Sequence, residues 1–333
     1  MTRRHEQSRL LVFGQQPGAD LASEVAARLD LPLGRSEHRE FERGEHKSRA
    51  LDEVEDASIA LVTRLHGDPE GPTANDRLVQ AWLFIASLRD AGARHVTVVA
   101  PYVPYVRKDR RTQPRDPLNG RYIAQLFESV GTGRLVAVEP HSLPGFENAF
   151  RIPTVPLPLA PLVADWLAAR HLEATITVVS PDVGGVKRAQ QLRAVLAARG
   201  LATGELAFFE KRRSRDVVTG GTLVGDVRDS VCVIVDDLVA SGGTLARAAI
   251  ACRDQGARSV HAAAAHALFL PETVGRLAGA GLDAILVTDS VPVGADALSA
   301  LPLEVLPLAP YLAAAMRCLW FGGRLEELTA IGA

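Results

Sequence analysis

Short β-branched runs alternate with alanine-rich amphipathic stretches along the whole chain, and this alternation restricts the fold more than any other feature. Strands separated by helices pair in parallel, because each helix carries the chain back along the sheet before the next strand begins. In the first half, Leu10–Phe13, Ile59–Val62, Val96–Ala100 and Leu135–Val138 read as strands. Helices are expected between them at 18–29, 75–92 and 121–130, the second with an Asn/Asp start and a Gly end. A proline-rich passage, Ile152–Pro158, interrupts the pattern. Beyond it the alternation restarts, with helices at 160–170, 186–199, 245–253 and 271–280 and strands at 176–179, 206–209, 231–235, 261–265 and 284–288. The expectation is an α/β protein of two domains, 1–155 and 156–308, each a mainly parallel sheet flanked by helices. A last helix at 309–319 is expected to pack back on the first domain, with an extension to 333.

The chain length of 333 residues suits two domains of about 150 residues each. A formal charge of −2 excludes a general nucleic-acid binder, which carries a clear basic excess. Two local basic clusters, Arg107-Lys108-Asp109-Arg110-Arg111 and Lys211-Arg212-Arg213, suit small polyanions instead. The three cysteines, Cys232, Cys252 and Cys318, have neither metal-ligand spacing nor a disulfide framework. The charged N-terminus lacks a secretory apolar region, and no apolar run reaches membrane-span length. A cytoplasmic location is expected, with no nucleic-acid or membrane partner.

The run Val231–Thr244 carries the most chemistry. An apolar strand leads to Asp236 and Asp237, then to the small-residue loop Ala240-Ser241-Gly242-Gly243-Thr244, which opens a helix. Amides of such a loop wrap around a phosphate, and the helix adds the positive end of its dipole. Two carboxylates beside a phosphate cradle suit vicinal sugar hydroxyls, with or without a bridging metal. The combination points to a phosphorylated sugar held at both ends.

Further stretches occur in a recognisable order: Asn75-Asp76, Pro101–Arg111, Ser180-Pro-Asp-Val-Gly-Gly185, Glu210–Arg213 and Val287–Pro292. With the loop, they make the chain resemble the ribose-phosphate pyrophosphokinases from about Leu10 to Met316. The resemblance implies two type I phosphoribosyltransferase-like domains, the second keeping a working loop for 5-phosphoribosyl 1-diphosphate. It implies transfer of the β,γ-diphosphoryl group of ATP to the 1-hydroxyl of ribose 5-phosphate, releasing AMP. Lys211 and Arg213, which precede a polar stretch suited to a mobile lid, Ser214–Gly221, would then close over the transferred phosphates. Asp236, Asp237 and Ala240–Thr244 would hold ribose 5-phosphate, and Phe41, Arg43, Glu45, Arg107, Lys108 and Arg110 the nucleotide. Mg²⁺ is expected on His141 and Asp182, and a homo-oligomer is expected to complete the nucleotide site.

The chain departs from the family's pattern at four places. Arg43 replaces an acid near adenine, Lys108 a Gln, and Ala240 the loop's usual Asp, while Glu139-Pro140-His141 replaces Asp-Leu-His. Three of these fall on the nucleotide side, so Arg43 and Lys108 predict weakened discrimination for adenine. Two alternatives share the same motifs: a catalytically silent regulator of another synthetase, and a phosphoribosyltransferase that consumes the diphosphate sugar.

Overall fold

The computed structural model describes residues 9–170, 174–214 and 217–329, and the side chains of all of these except 211–214 and 217–220. The chain forms two compact units, residues 1–157 with 308–323, and residues 158–307 with 324–333.

The first unit begins with β1 (Leu10–Gln15), α1 (Ala19–Leu29), β2 (Leu33–Gly34), β3 (Ser36–Glu40), β4 (His46–Ala50) and β5 (Ser58–Thr63). It continues through α2 (Ala74–Asp90), β6 (His95–Val99), α3 (Asn119–Ser129), β7 (Arg134–Val138), α4 (Leu143–Ala149) and β8 (Thr154–Leu157). Six strands form one sheet in the order β2-β1-β5-β6-β7-β8, and every pairing is parallel. Parallel strands covered on both faces read as continuous apolar runs, and Ile59–Val62 are all fully buried. Phe13 and Phe84 meet edge to face at 5.9 Å in the core. Helix α2 starts on a capping box, in which the Asp76 carboxylate accepts from Thr73 N at 2.7 Å and Asp76 N donates back to Thr73 Oγ1.

The proline-rich passage turns out to contain β8, which pairs with β7 from Leu135↔Thr154 to Val138↔Leu157. Pro156 is tolerated because β8 is an edge strand with no further neighbour needing that N–H. The boundary drawn at 155/156 therefore falls inside a strand, and the first unit runs to Leu157. The hairpin β3–β4 forms a separate two-stranded sheet that the alternation did not predict. It packs on α2, where the His38 ring meets Phe84 at 5.4 Å.

The second unit comprises α5 (Ala160–Ala168), β9 (Ile176–Ser180), α6 (Val186–Ala198), β10 (Ala207–Ser214), β11 (Val217–Val224), β12 (Val231–Val239) and α7 (Gly243–Asp254). β13 (Ser259–Ala267), α8 (Thr273–Ala278), β14 (Ala284–Thr288), α9 (Ala295–Ala300) and β15 (Leu303–Leu306) complete it. Its sheet runs β11-β10-β9-β12-β13-β14-β15, parallel except for the β10–β11 hairpin. Ala262 and Ala264 on β13 and Ala248 and Ala249 on α7 are buried in one core, and residues this small let helix and sheet approach closely. α10 (Ala309–Phe321) packs on α1 in the first unit, and Arg317 donates to Arg28 O at 2.7 Å. The terminal extension contains a short helix, α11 (Leu325–Thr329). No described helix is long and apolar enough to cross a membrane.

Candidate active site

In an open parallel sheet, ligands bind beyond the carboxyl ends of the strands where the strand order reverses. In the second unit that point lies between β9 and β12, since β10 and β11 follow on one side and β13 to β15 on the other. β9 ends in Ser180-Pro-Asp182-Val-Gly-Gly185, and β12 ends in the run that leads to Thr244. The topology thus brings together two of the stretches singled out from sequence.

The cradle loop is held from behind. The Ala240 carbonyl accepts from Leu270 N at 3.3 Å and from the Thr273 hydroxyl, and the Ser241 carbonyl accepts from Arg276 Nη1 at 3.2 Å. Gly242 has φ +73°, and a β-carbon there would lie 3.0 Å from Leu277 Cγ, so both conformation and space require glycine. Gly242 is also the N-cap of α7 and supplies no side-chain cap. The first amides of the helix therefore face the loop without a capping oxygen, as an anion site needs.

The two aspartates lie inside β12, not after it. Asp236 pairs with Ala264 of β13, and pairing continues through Val239↔Ala267. Arg188, one turn into α6, faces both carboxylates, with Nη1 3.5 Å from Asp236 Oδ1 and Nη2 3.6 Å from Asp237 Oδ1. Its side chain is 13% exposed and that of Asp237 5%. Burial pushes the Asp236 carboxyl up to about 7, and the neighbouring Asp237 carboxylate adds to the effect. The folded state then keeps a proton that the unfolded chain releases near pH 4, so stability falls as pH rises from about 4 to about 7. Asp236→Asn removes that loss. Its melting temperature relative to wild type is expected to rise steadily from pH 4 to pH 8 in thermal denaturation scans, and a pH-independent difference would contradict the account.

Asp182 caps the turn at 183–185, its Oδ1 accepting from Gly185 N at 3.1 Å, and Ser180 Oγ donates to Asp182 O at 2.6 Å. Lys211 and Arg213 lie on β10, opposite Gly221 and Val218 of β11, with a register shift between Arg212 and Arg213. Their side chains lie outside the described residues, as do residues 215 and 216 of the expected lid; the rest of that stretch belongs to the β10–β11 hairpin.

In the first unit the nucleotide candidates fall into two places. Phe41, Arg43 and Glu45 occupy the exposed tip of the β3–β4 hairpin, with Arg43 at φ 62°. The Arg39 guanidinium lies 4.9 Å from the Phe41 ring centroid and covers one face of that ring. Arg107 and Arg110 are exposed on the loop after β6, and the Tyr105 hydroxyl ties that loop to Asn75 of α2.

Lys108 finds partners within its own loop. Its ammonium donates to Asp116 Oδ2 at 2.5 Å and to Thr112 Oγ1 at 3.0 Å. The same Asp116 oxygen accepts from Thr112 Oγ1 and from the amides of Thr112 and Gln113. These bonds, led by that from Lys108, hold the Asp116 carboxyl below the usual carboxylate range. Lys108 thus closes its own loop.

The reversal point of the first sheet, between β1 and β5, is filled by the chain's own side chains. Arg64, 5% exposed, pairs with Asp20 at 2.7 Å, Arg77 pairs with Asp68 at 2.7 Å, and Gln15 and His66 are buried there. Among the described residues, the second unit is the one that presents an open loop with small residues at this place.

Among the described residues no three His, Cys, Asp or Glu side chains group as a metal set. Mg²⁺ takes few protein ligands and prefers oxygen, completing its shell with water and substrate phosphates. The partly buried Asp182 carboxylate fits such a role; His141 is exposed after β7, and its nitrogen fits less well.

Residues 10–131 match the N-terminal domain of ribose phosphate pyrophosphokinase, and residues 158–271 match the phosphoribosyl transferase domain. The chain is 35% identical over 303 residues to a ribose-phosphate pyrophosphokinase of Hyphomonas neptunium, covering 89% of this chain and 92% of that protein. It is 33% identical over 288 residues to ribose-phosphate pyrophosphokinase 1 of Spinacia oleracea, covering 86% and 82%. A phosphoribosylpyrophosphate synthetase from Mycobacterium smegmatis superposes with a TM-score of 0.84 at 29% identity, over 95% of this chain and 100% of that one. By sequence and by fold, the chain belongs to the ribose-phosphate pyrophosphokinase family.

Proposed function

We propose that this chain transfers the β,γ-diphosphoryl group of ATP to the 1-hydroxyl of ribose 5-phosphate, with the sugar phosphate seated at the β9/β12 reversal point. The observation that carries the reading is the pairing of two carboxylates with an uncapped, glycine-dependent helix start at that one place. The amides of Ala240–Thr244 hold the 5-phosphate, and Asp236 and Asp237 accept from the ribose hydroxyls. The 1-oxygen attacks the β-phosphorus and AMP departs. Little covalent help is needed, because phosphoryl transfer responds mainly to positioning and charge neutralisation. Lys211 and Arg213 neutralise charge that develops during transfer. Arg107 and Arg110 hold the polyphosphate with planar forks, and Phe41 stacks on the base through its free face, with Arg43 and Glu45 beside it. Asp182, and in the family's manner His141, are the residues that would hold Mg²⁺, which would supply charge shielding for the polyphosphate. The enzyme works in the cytoplasm as a homo-oligomer.

Initial rates of AMP release test this reading. AMP is expected only when ATP, ribose 5-phosphate and Mg²⁺ are all present, with GTP or CTP accepted at a reduced but measurable rate because of Arg43. Diphosphate release from the diphosphate sugar and a base, without ATP, would replace this reading with a phosphoribosyltransferase.

A further inference from the structure

Two arginines outside the motifs stand over the cradle. A β-carbon built on Gly243 would lie 3.3 Å from Nη1 of Arg247, 3.8 Å from Nη1 of Arg276 and 3.8 Å from the Ser241 hydroxyl. Two guanidinium groups and a hydroxyl therefore converge on the space that the missing side chain leaves, at the first residue of α7. Arg247 lies four residues beyond Gly243, and helical side chains lean toward the N-terminus, so it reaches back over the first turn. It is exposed and makes no hydrogen bond or ion pair with the described residues. Arg276 is held in place by its bond to the Ser241 carbonyl and by Glu272 at 3.7 Å.

Like charges brought together repel, and the positive end of α7 adds to that repulsion at the same spot. Arg247 has no counter-charge among the described residues, so an anion between the two guanidinium groups relieves the repulsion. We propose that Arg247 and Arg276 bind the phosphate group of the sugar phosphate, adding side-chain forks to the cradle's backbone amides. A phosphate dianion suits this set better than a carboxylate, since it offers oxygens to two forks and a row of amides together. The arrangement selects phosphorylated over unphosphorylated sugar and rests on the cradle reading above.

The test is steady-state kinetics of Arg247→Gln, Arg276→Gln and Arg247→Lys in the full chain. Each Gln variant is expected to raise KM for ribose 5-phosphate about tenfold, as loss of a charge-assisted hydrogen bond does. KM for ATP should stay within about twofold, with Arg247→Lys recovering most of the loss. Far-UV circular dichroism checks that these surface changes leave the fold intact. If both Gln variants keep the wild-type KM for ribose 5-phosphate, the proposal is wrong. The Asp236→Asn, Asp237→Asn variant separates the two levels. If it raises that KM while the arginine variants do not, this proposal alone falls; if it too has no effect, the cradle reading falls with it.

Discussion

Replacing Asp236 and Asp237 together by asparagine is expected to lower kcat/KM for ribose 5-phosphate by about a thousandfold, with KM for ATP within about threefold. A hydrogen bond to a charged acceptor contributes about 1.5–3 kcal/mol, and two lost together give roughly that factor. The effect should be confined to the sugar because both side chains sit on β12, at the reversal point of the second unit's sheet. The same variant is expected to melt at a lower temperature, since the largely buried Arg188 faces both side chains and loses the negative charge they carry between them. Comparing rates at a temperature where circular dichroism shows a folded protein separates the two effects. A variant that is folded and retains wild-type kcat/KM would remove these carboxylates from the sugar site.

Lys211→Ala is expected to reduce kcat by about 10²–10³ while changing both KM values by less than about threefold. Removing one preorganised donor that acts on charge developing in the transition state costs about 3–4 kcal/mol of barrier. An ammonium needed only during transfer contributes little to ground-state binding, so the loss should appear in kcat. Lys211 lies on β10 where that strand leaves its parallel partner β9, whose pairing ends at Phe208↔Ser180, and continues beside β11 alone. Proportional losses in KM with an unchanged kcat would make Lys211 a binding residue instead.

Much of this architecture is written in hydrophobic periodicity. Ile59–Val62 and Val231–Val235 are apolar without interruption because parallel strands are covered on both faces, so their strands were legible. The end of β12 was not. Aspartate disfavours strands, yet β13 continues to offer hydrogen bonds beside Asp236 and Leu238, and tertiary pairing overrides propensity there. The β3–β4 hairpin escaped notice because Ser36–Glu40 and His46–Ala50 are mostly polar and carry no apolar alternation. The fully parallel first sheet also hid a strand behind Pro156, where only an edge position makes proline acceptable.

The site was legible where chemistry is concentrated in one short run, as at Asp236–Thr244, and opaque where folding assembles it. Arg188 looks like part of a solvated Lys187-Arg188 face until α6 brings it to the carboxylates. Its spacing, one helical turn after Gly185, was the available signal. The Lys108–Asp116 pair was hidden because Asp116 lies eight residues away across a loop. Arg247 stands four residues after Gly243, a spacing that helix geometry alone turns into proximity.

The most direct measurement is ³¹P NMR of a reaction containing the full chain, ATP, ribose 5-phosphate and Mg²⁺. AMP and 5-phosphoribosyl 1-diphosphate should accumulate in equal amounts at the expense of ATP, and neither should form when ribose 5-phosphate is omitted. ADP with a sugar bisphosphate as the products, or no turnover by folded protein, would contradict the account.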